Sequence, residues 1–362
     1  MRRSPLRRQA AAVVALSFAA ACAQGTDAAD SVPAPTSAAP STTEAAPTTT
    51  VAPTTTEAAT TTTEPPQPVY PLTGLPAPDA LTALRPVVVA KVGNYDNAPP
   101  TGLNVADIVF EELINDNVSR FAVVFHSQFP DEAVGPIRSG RLQDVNLLGS
   151  LNQPILAWSG GNGTVTRAID DSDLVNLSPQ YCRNSCFRVD FAKVPYNLYY
   201  DIEKAYDVGT TMGAGNPNQV QFQFREPGDA VSGDPSSGVK VAMDSYDTEW
   251  TWNPDTGLYE RSQNGRPHDE RNGDLITTDN VVVMAMAYFP GISGSPDAQS
   301  VGYGEVWVFS GGTVVHGVWS RADRTEPFTL TADDGTPILL TPGRTFVQLP
   351  RDEPGLIEVK PA

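Results

Sequence analysis

Asp107-Ile-Val-Phe-Glu-Glu-Leu-Ile-Asn-Asp-Asn-Val-Ser-Arg-Phe-Ala-Val-Val-Phe-His-Ser127 is the stretch on which the fold turns. Apolar residues fill both halves, Asp107 to Ile114 and Ser119 to Ser127. Between them, Asn115-Asp116-Asn117 has the side chains that tolerate a tight reversal, so the stretch reads as two strands joined in a hairpin. In extended chain alternate side chains share a face, which puts Asp107 and Glu111 on one side and Glu112 on the other. Working outward, Pro86 to Val92 reads as a buried strand, Arg141 to Ser150 as a helix, Ile155 to Ser159 as a strand and Thr164 to Asp170 as a helix. Asn197 to Asp207 reads as a further helix, with Asn197 as its N-cap and Tyr199, Ile202, Ala205 and Tyr206 on one face. From about Gly238 the pattern is almost wholly β, with strand-like runs at 239–243, 248–252, 259–262, 280–288, 304–310, 313–319 and 345–349. The predicted fold class is α+β: a mixed α/β N-terminal domain (69–230), then a β-rich C-terminal domain (238–355), with the boundary near residues 225–238.

The first 68 residues predict something other than fold. Arg2, Arg3, Arg7 and Arg8 precede the uncharged run Ala10 to Ala21, and Ala19-Ala20-Ala21-Cys22 ends it. Twelve apolar residues suit a signal peptide over 1–21 and are too few to span a bilayer. Cleavage before Cys22 would leave that cysteine as a lipid-carrying first residue and the only membrane anchor; a plain secretory cut nearby is the alternative. Removing 1–21 takes away four arginines and no acids, moving the formal charge from −18 to −22. Such a surface repels nucleic acid and anionic head groups. Residues 22–68 form the expected tether: of the 46 after Cys22, 36 are Ala, Ser, Thr or Pro, too little apolar surface to offset chain entropy. The remaining cysteines, Cys182 and Cys186, predict a local disulfide outside the cytoplasm; a zinc site would need two more ligands, and His126, His268 and His316 are far apart in sequence.

Several motifs resemble the YerB-like lipoproteins, domain-of-unknown-function family 3048. They are Tyr70-Pro-Leu-Thr-Gly-Leu75, Gly102-Leu-Asn-Val-Ala-Asp107, Ser119-Arg120-Phe121, Val134-Gly-Pro-Ile-Arg138-Ser-Gly-Arg141 and Pro195-Tyr-Asn197. Leu258-Tyr-Glu-Arg261, Gly265-Arg-Pro-His268 and Gly343-Arg-Thr-Phe-Val-Gln348 extend the likeness through the second half. The resemblance implies separate N- and C-terminal domains and an extracytoplasmic place, and implies no reaction. Gly93 stands where such proteins often have Asp, and Tyr196 where His is common.

Candidate chemistry centres on basic residues in an acidic chain. Arg138-Ser139-Gly-Arg141 places two arginines three apart at an expected helix start, where both could reach one side. Ser159-Gly160-Gly161-Asn162-Gly163 leads into the next helix, and its glycines let backbone N–H groups converge beside a helix N-terminus. With Arg120 these residues form the predicted ligand-binding set for a phosphate or carboxylate. The competing reading pairs the arginines with Asp107, Glu111 or Glu112 as structural locks. The loop lacks the endings of nucleotide-binding motifs. Asp107 and Glu111 are the weak catalytic candidates, since paired carboxylates at ~5–10 Å cleave glycans. Trp250, Trp252, Trp307 and Trp319 fit either a core or a glycan-stacking platform. The sequence therefore predicts a lipid-anchored protein on the outer face of the bacterial cell membrane. It would bind an envelope component (glycan, anionic polymer or protein), with no nucleic acid, metal or cofactor. An envelope glycan hydrolase or transferase using Asp107 and Glu111 is the alternative.

Overall fold

The computed structural model describes residues 67–217 and 219–362. The signal segment 1–21, Cys22 and the tether up to residue 66 lie outside the described residues. Among the described residues no helix is long and apolar enough to cross a membrane.

Strand far outweighs helix, and a 16-stranded sheet runs through the described chain. Its centre is the expected hairpin: Ile108–Leu113 pairs antiparallel with Ser119–Phe125. At the turn Asp116 and Asn117 take left-handed φ values of 67° and 55°, which is why Asn and Asp serve there. Val88–Gly93 continues the sheet on one side, followed in parallel by Ile155–Ala157 and Val175–Asn176. On the other side of Ile108–Leu113 lies Thr345–Leu349, parallel to it and to Asn280–Met284 beyond. Gly302–Ser310, Thr313–Arg321, Asp234–Met243, Tyr246–Asn253, Leu258–Gln263 and Arg266–Pro267 complete the order. The boundary expected near residues 225–238 therefore does not divide the sheet. A strand from the end of the chain is seated against the first hairpin, because its Phe346, Val347 and Leu349 bury on both faces.

Both faces of the centre are covered, so its strands read as near-continuous apolar runs. Val88, Ala90 and Val92 join one core with Phe121, Trp250, Tyr259 and Phe346. Val87, Val89, Ile108 and Phe110 join another with Leu147, Trp158 and Val347. Helix Ile202–Thr211 lays Ile202, Ala205 and Val208 on the first core; Gly163–Asp170 lays Val165 and Ile169 on the second.

Several expected elements are corrected. Leu198–Tyr200 is a strand, since its backbone bonds Ile137 and Val134 on one side and Cys186–Arg188 pairs with it. The helix begins after Asp201, whose carboxylate accepts the Lys204 N–H at 3.0 Å; Asn197 instead accepts from Arg188 at 2.6 Å. The run 280–288 breaks after Met284, where Ala285 instead accepts the Trp319 indole N–H at 3.0 Å. Residues 138–141 are not helical: Arg138 N–H bonds the Lys91 carbonyl across the sheet, and the short helix Gln143–Leu147 starts only beyond Arg141.

Candidate functional site

Three guanidinium groups cluster at one end of the central strands. Arg120 comes from Ser119–Phe125, while Arg138 and Arg141 follow the stretch bonded to Lys91. Arg120 is only 3% exposed and donates to the Ser139 carbonyl at 2.9 Å and the Tyr95 hydroxyl at 3.3 Å. Arg138 donates to the same hydroxyl and to the Pro195 carbonyl, and Arg141 to the Gly140 carbonyl and the Asn115 amide oxygen. Among the described residues none of the three meets a carboxylate, and the Nε atoms of Arg120 and Arg141 are buried without a partner. Burial, with Arg141 and Arg138 adding to it, lowers Arg120 to about 10. Burial raises the Tyr95 phenol, but Arg120 and Arg138 outweigh it and hold it below its usual value.

The buried carboxylates of the neighbouring strands and helix are taken, and Asp297, which lines a cleft beside Arg141, forms no ion pair among the described residues. Glu112 is the cross-strand neighbour of Arg120, yet it turns to Lys91, which also holds Asp144 at 2.8 Å. Burial, then Asp144, pushes Glu112 up to about 7. Glu111 binds Arg261 at 2.9 Å within a buried network that includes Ser119 and Gln348. Asp107 accepts the His126 and Ser127 N–H groups at 2.6 and 3.0 Å, and burial raises it to about 6. Along a strand, residues four apart are separated by about 13 Å. Asp107 and Glu111 are each almost fully buried, in separate surroundings.

A cleft of about 310 Å³ opens beside the arginines. Ser139, Arg141, Gly161 and Asn162 line one wall and Ser293 and Asp297 the other. Gly160 has φ +93°, and a Cβ there would meet the Ser139 hydroxyl at 2.9 Å, so glycine lets the loop close on Ser139. The helix start itself is occupied: Asn162 Oδ1 accepts from the Thr164 and Val165 N–H groups at 3.0 Å, and its amide donates to Ser293. Gly163 opens the helix and does not line the cleft. Arg138, expected to share this cleft, is turned away. Its guanidinium carbon lies 5.5 Å from the Tyr95 ring centre and 5.3 Å from that of Tyr196. A Cβ on Gly93 would stand 2.5 Å from Tyr95 and 2.9 Å from Arg138, so Gly93 and Tyr196 both shape this stack.

Asn115, Ser293 and Asp297 were missed by sequence reasoning. Their only local signal is turn-forming composition, since the cleft brings 115, 139–141, 161–165 and 291–297 together from separate segments. Trp250 and Trp319 are buried; Trp252 packs on Tyr259 and Trp307 on His316. Cys182 and Cys186 are joined in a disulfide. No group of three or more His, Cys, Asp or Glu placed to hold a metal occurs among the described residues.

Two family descriptions match in order: "Protein of unknown function (DUF3048) N-terminal domain" over residues 72–214 and its C-terminal domain over 239–347. A Bacillus subtilis (strain 168) protein provisionally named lipoprotein YerB is 30% identical over 296 residues, covering 78% of this chain and 86% of that one. The crystal structure of the Bacillus subtilis YerB protein superposes with a TM-score of 0.71 at 22% identity, over 81% of this chain and 99% of that one, a likeness of fold.

Proposed function

Since this chain belongs to the DUF3048 family, with both of its domains in order, we propose that it is a lipid-anchored protein on the outer face of the cell membrane that binds an anionic group of an envelope polymer. The relative's name as a lipoprotein and the Ala19-Ala20-Ala21-Cys22 run favour Cys22 as the anchor. The observation that carries the binding reading is the arginine cluster without counter-charges. Uncompensated cations are costly to crowd together, and an incoming phosphate or carboxylate relieves that cost.

In the cleft, Arg141 and Ser139 would hold the anion, each charge-assisted bond contributing roughly 1.5–3 kcal/mol. Arg120 supports from behind through the Ser139 carbonyl. Asp297 on the facing wall, its carboxyl raised by burial, would accept a hydroxyl of the same ligand. The test is titration of the full chain in detergent with poly(glycerol phosphate) at low and high salt. Saturable binding that weakens with salt, and by about tenfold in Arg141→Ala, is expected. Equal binding by parent and variant would remove the cleft from the account.

A further inference from the structure

A second cleft, of about 560 Å³, opens beside the hairpin that turns at Asn264 and Gly265. Tyr95, Asp96, Gln263, Arg266, His268 and Glu270 are among its lining. One of these side chains has its proton placed by geometry. Arg261 Nε lies 2.9 Å from His268 Nδ1. A guanidinium N–H can only donate, so Nδ1 accepts and the ring proton sits on Nε2. Arg261 cannot turn away: Glu111 holds it, and it is packed over the Phe346 and Trp250 rings at 4.9 and 5.3 Å. Burial, with Arg261 adding to it, lowers His268 to about 3, so the ring stays neutral at any envelope pH. His268 is only 9% exposed, yet its Nε2 has no hydrogen-bond partner among the described residues.

Carboxylates stand around that donor, and Arg266, Gln263 and Asn264 add further donors to the lining. Asp96, Asp269 and Glu270 bring carboxylates to the cleft. Glu270 is fixed by the Leu103 and Asn104 N–H groups, and burial raises its carboxyl. These groups do not converge as a metal set, and with Nδ1 taken by Arg261 and Nε2 protonated the imidazole has no lone pair left for a cation. The complementary ligand brings acceptors to Nε2 and the Arg266 guanidinium and donors to the carboxylates, a mixed lining that suits an uncharged polar molecule. Hydroxyl groups supply both roles, and the Tyr95 ring offers an apolar surface beside them.

We propose that this cleft is a saccharide site, taking one neutral sugar unit whose hydroxyl or N-acetyl oxygen accepts from His268 Nε2–H. The site shares no cleft-lining residue with the arginine cleft, so its failure and that of the anion reading are separable. The experiment titrates the full chain in detergent with N,N′,N″-triacetylchitotriose and with cellotriose, following heat and imidazole ¹⁵N resonances. The Nε2–H tautomer is expected before ligand, with a shift of that resonance on binding. His268→Ala should weaken binding by about tenfold, and His268→Gln, which keeps an N–H donor, by much less. Asp96→Ala, at an exposed position tied to the buried network only through a 3.5 Å bond from Gln263, should weaken it by about fivefold and guards against loss through misfolding. Poly(glycerol phosphate) affinity should be unchanged in all three. No binding of either oligosaccharide, an Nδ1–H tautomer, binding indifferent to both alanine variants, or capture of oligolysine in place of sugar would each overturn the proposal.

Discussion

Lys91, on Val88–Gly93, and Arg261, on Leu258–Gln263 toward the end of the sheet order, are buried with carboxylates against them; Arg120, one strand from Lys91, is as buried and has none. The first two lie where the sheet is sealed on both faces, and each completes a network whose removal would strand opposite charges. Arg120 and its neighbours Arg138 and Arg141 lie where the sheet ends in a cleft, and their bonds go to carbonyls, a phenol and an amide. Cations of the first kind are needed for folding. Those of the second kind repel one another without a carboxylate to offset it, the feature on which the proposed anion site rests.

The comparison breaks first at Lys91. Lys91→Met leaves Glu112 and Asp144 facing each other in the core, and unfolding titrations should show a loss of about 3–5 kcal/mol. Glu112 has a folded value of about 7 against an ordinary 4.5, so its contribution is complete below 4.5 and lost as pH rises through 7. The variant should therefore be worse at pH 8 than at pH 5, and a pH-independent loss would contradict the pairing.

His126 sharpens the contrast, being buried with neither ring nitrogen partnered. Burial, then Arg85, lowers it to about 4 from 6.5, so its contribution is present above 6.5 and lost as pH falls toward 4. His126→Leu should flatten that acid window by up to about 3 kcal/mol in chemical denaturation, with little effect at pH 8. An unchanged acid limb would assign the sensitivity elsewhere.

The smallest effect belongs to Arg141→Ala, expected to change unfolding free energy by under about 1 kcal/mol at neutral pH. A loss above about 2 kcal/mol would move Arg141 into the folding class.

What the sequence made legible was local. The hairpin at Asn115-Asp116-Asn117, the loop before Gly163 and the Cys182–Cys186 pair depend on residue types a few positions apart. The 197–207 segment misled because Tyr199, Ile202, Ala205 and Tyr206 fit a helical face, while the bonds that make 198–200 a strand come from Val134 and Ile137. The candidate site was legible in Ser139, Arg141, Gly161 and Asn162, but not in its far wall. Nor could the pairing of Glu111 with Arg261 be read, since 150 positions separate them. Periodicity reports which face is buried, and never which distant carboxylate is already taken.

The seating of Thr345–Leu349 between Ile108–Leu113 and Asn280–Met284 has a kinetic meaning. The central hairpin emerges early in synthesis, but its outer neighbour is more than two hundred residues away along the chain, a contact of very high order. Until that segment arrives, the apolar edge of Ile108–Leu113 stays open, the kind of surface on which strands of other molecules add. Folding of the core is thus postponed until almost the whole chain is available. That timing makes any premature stop before residue 345 a route to aggregation instead of a smaller working protein.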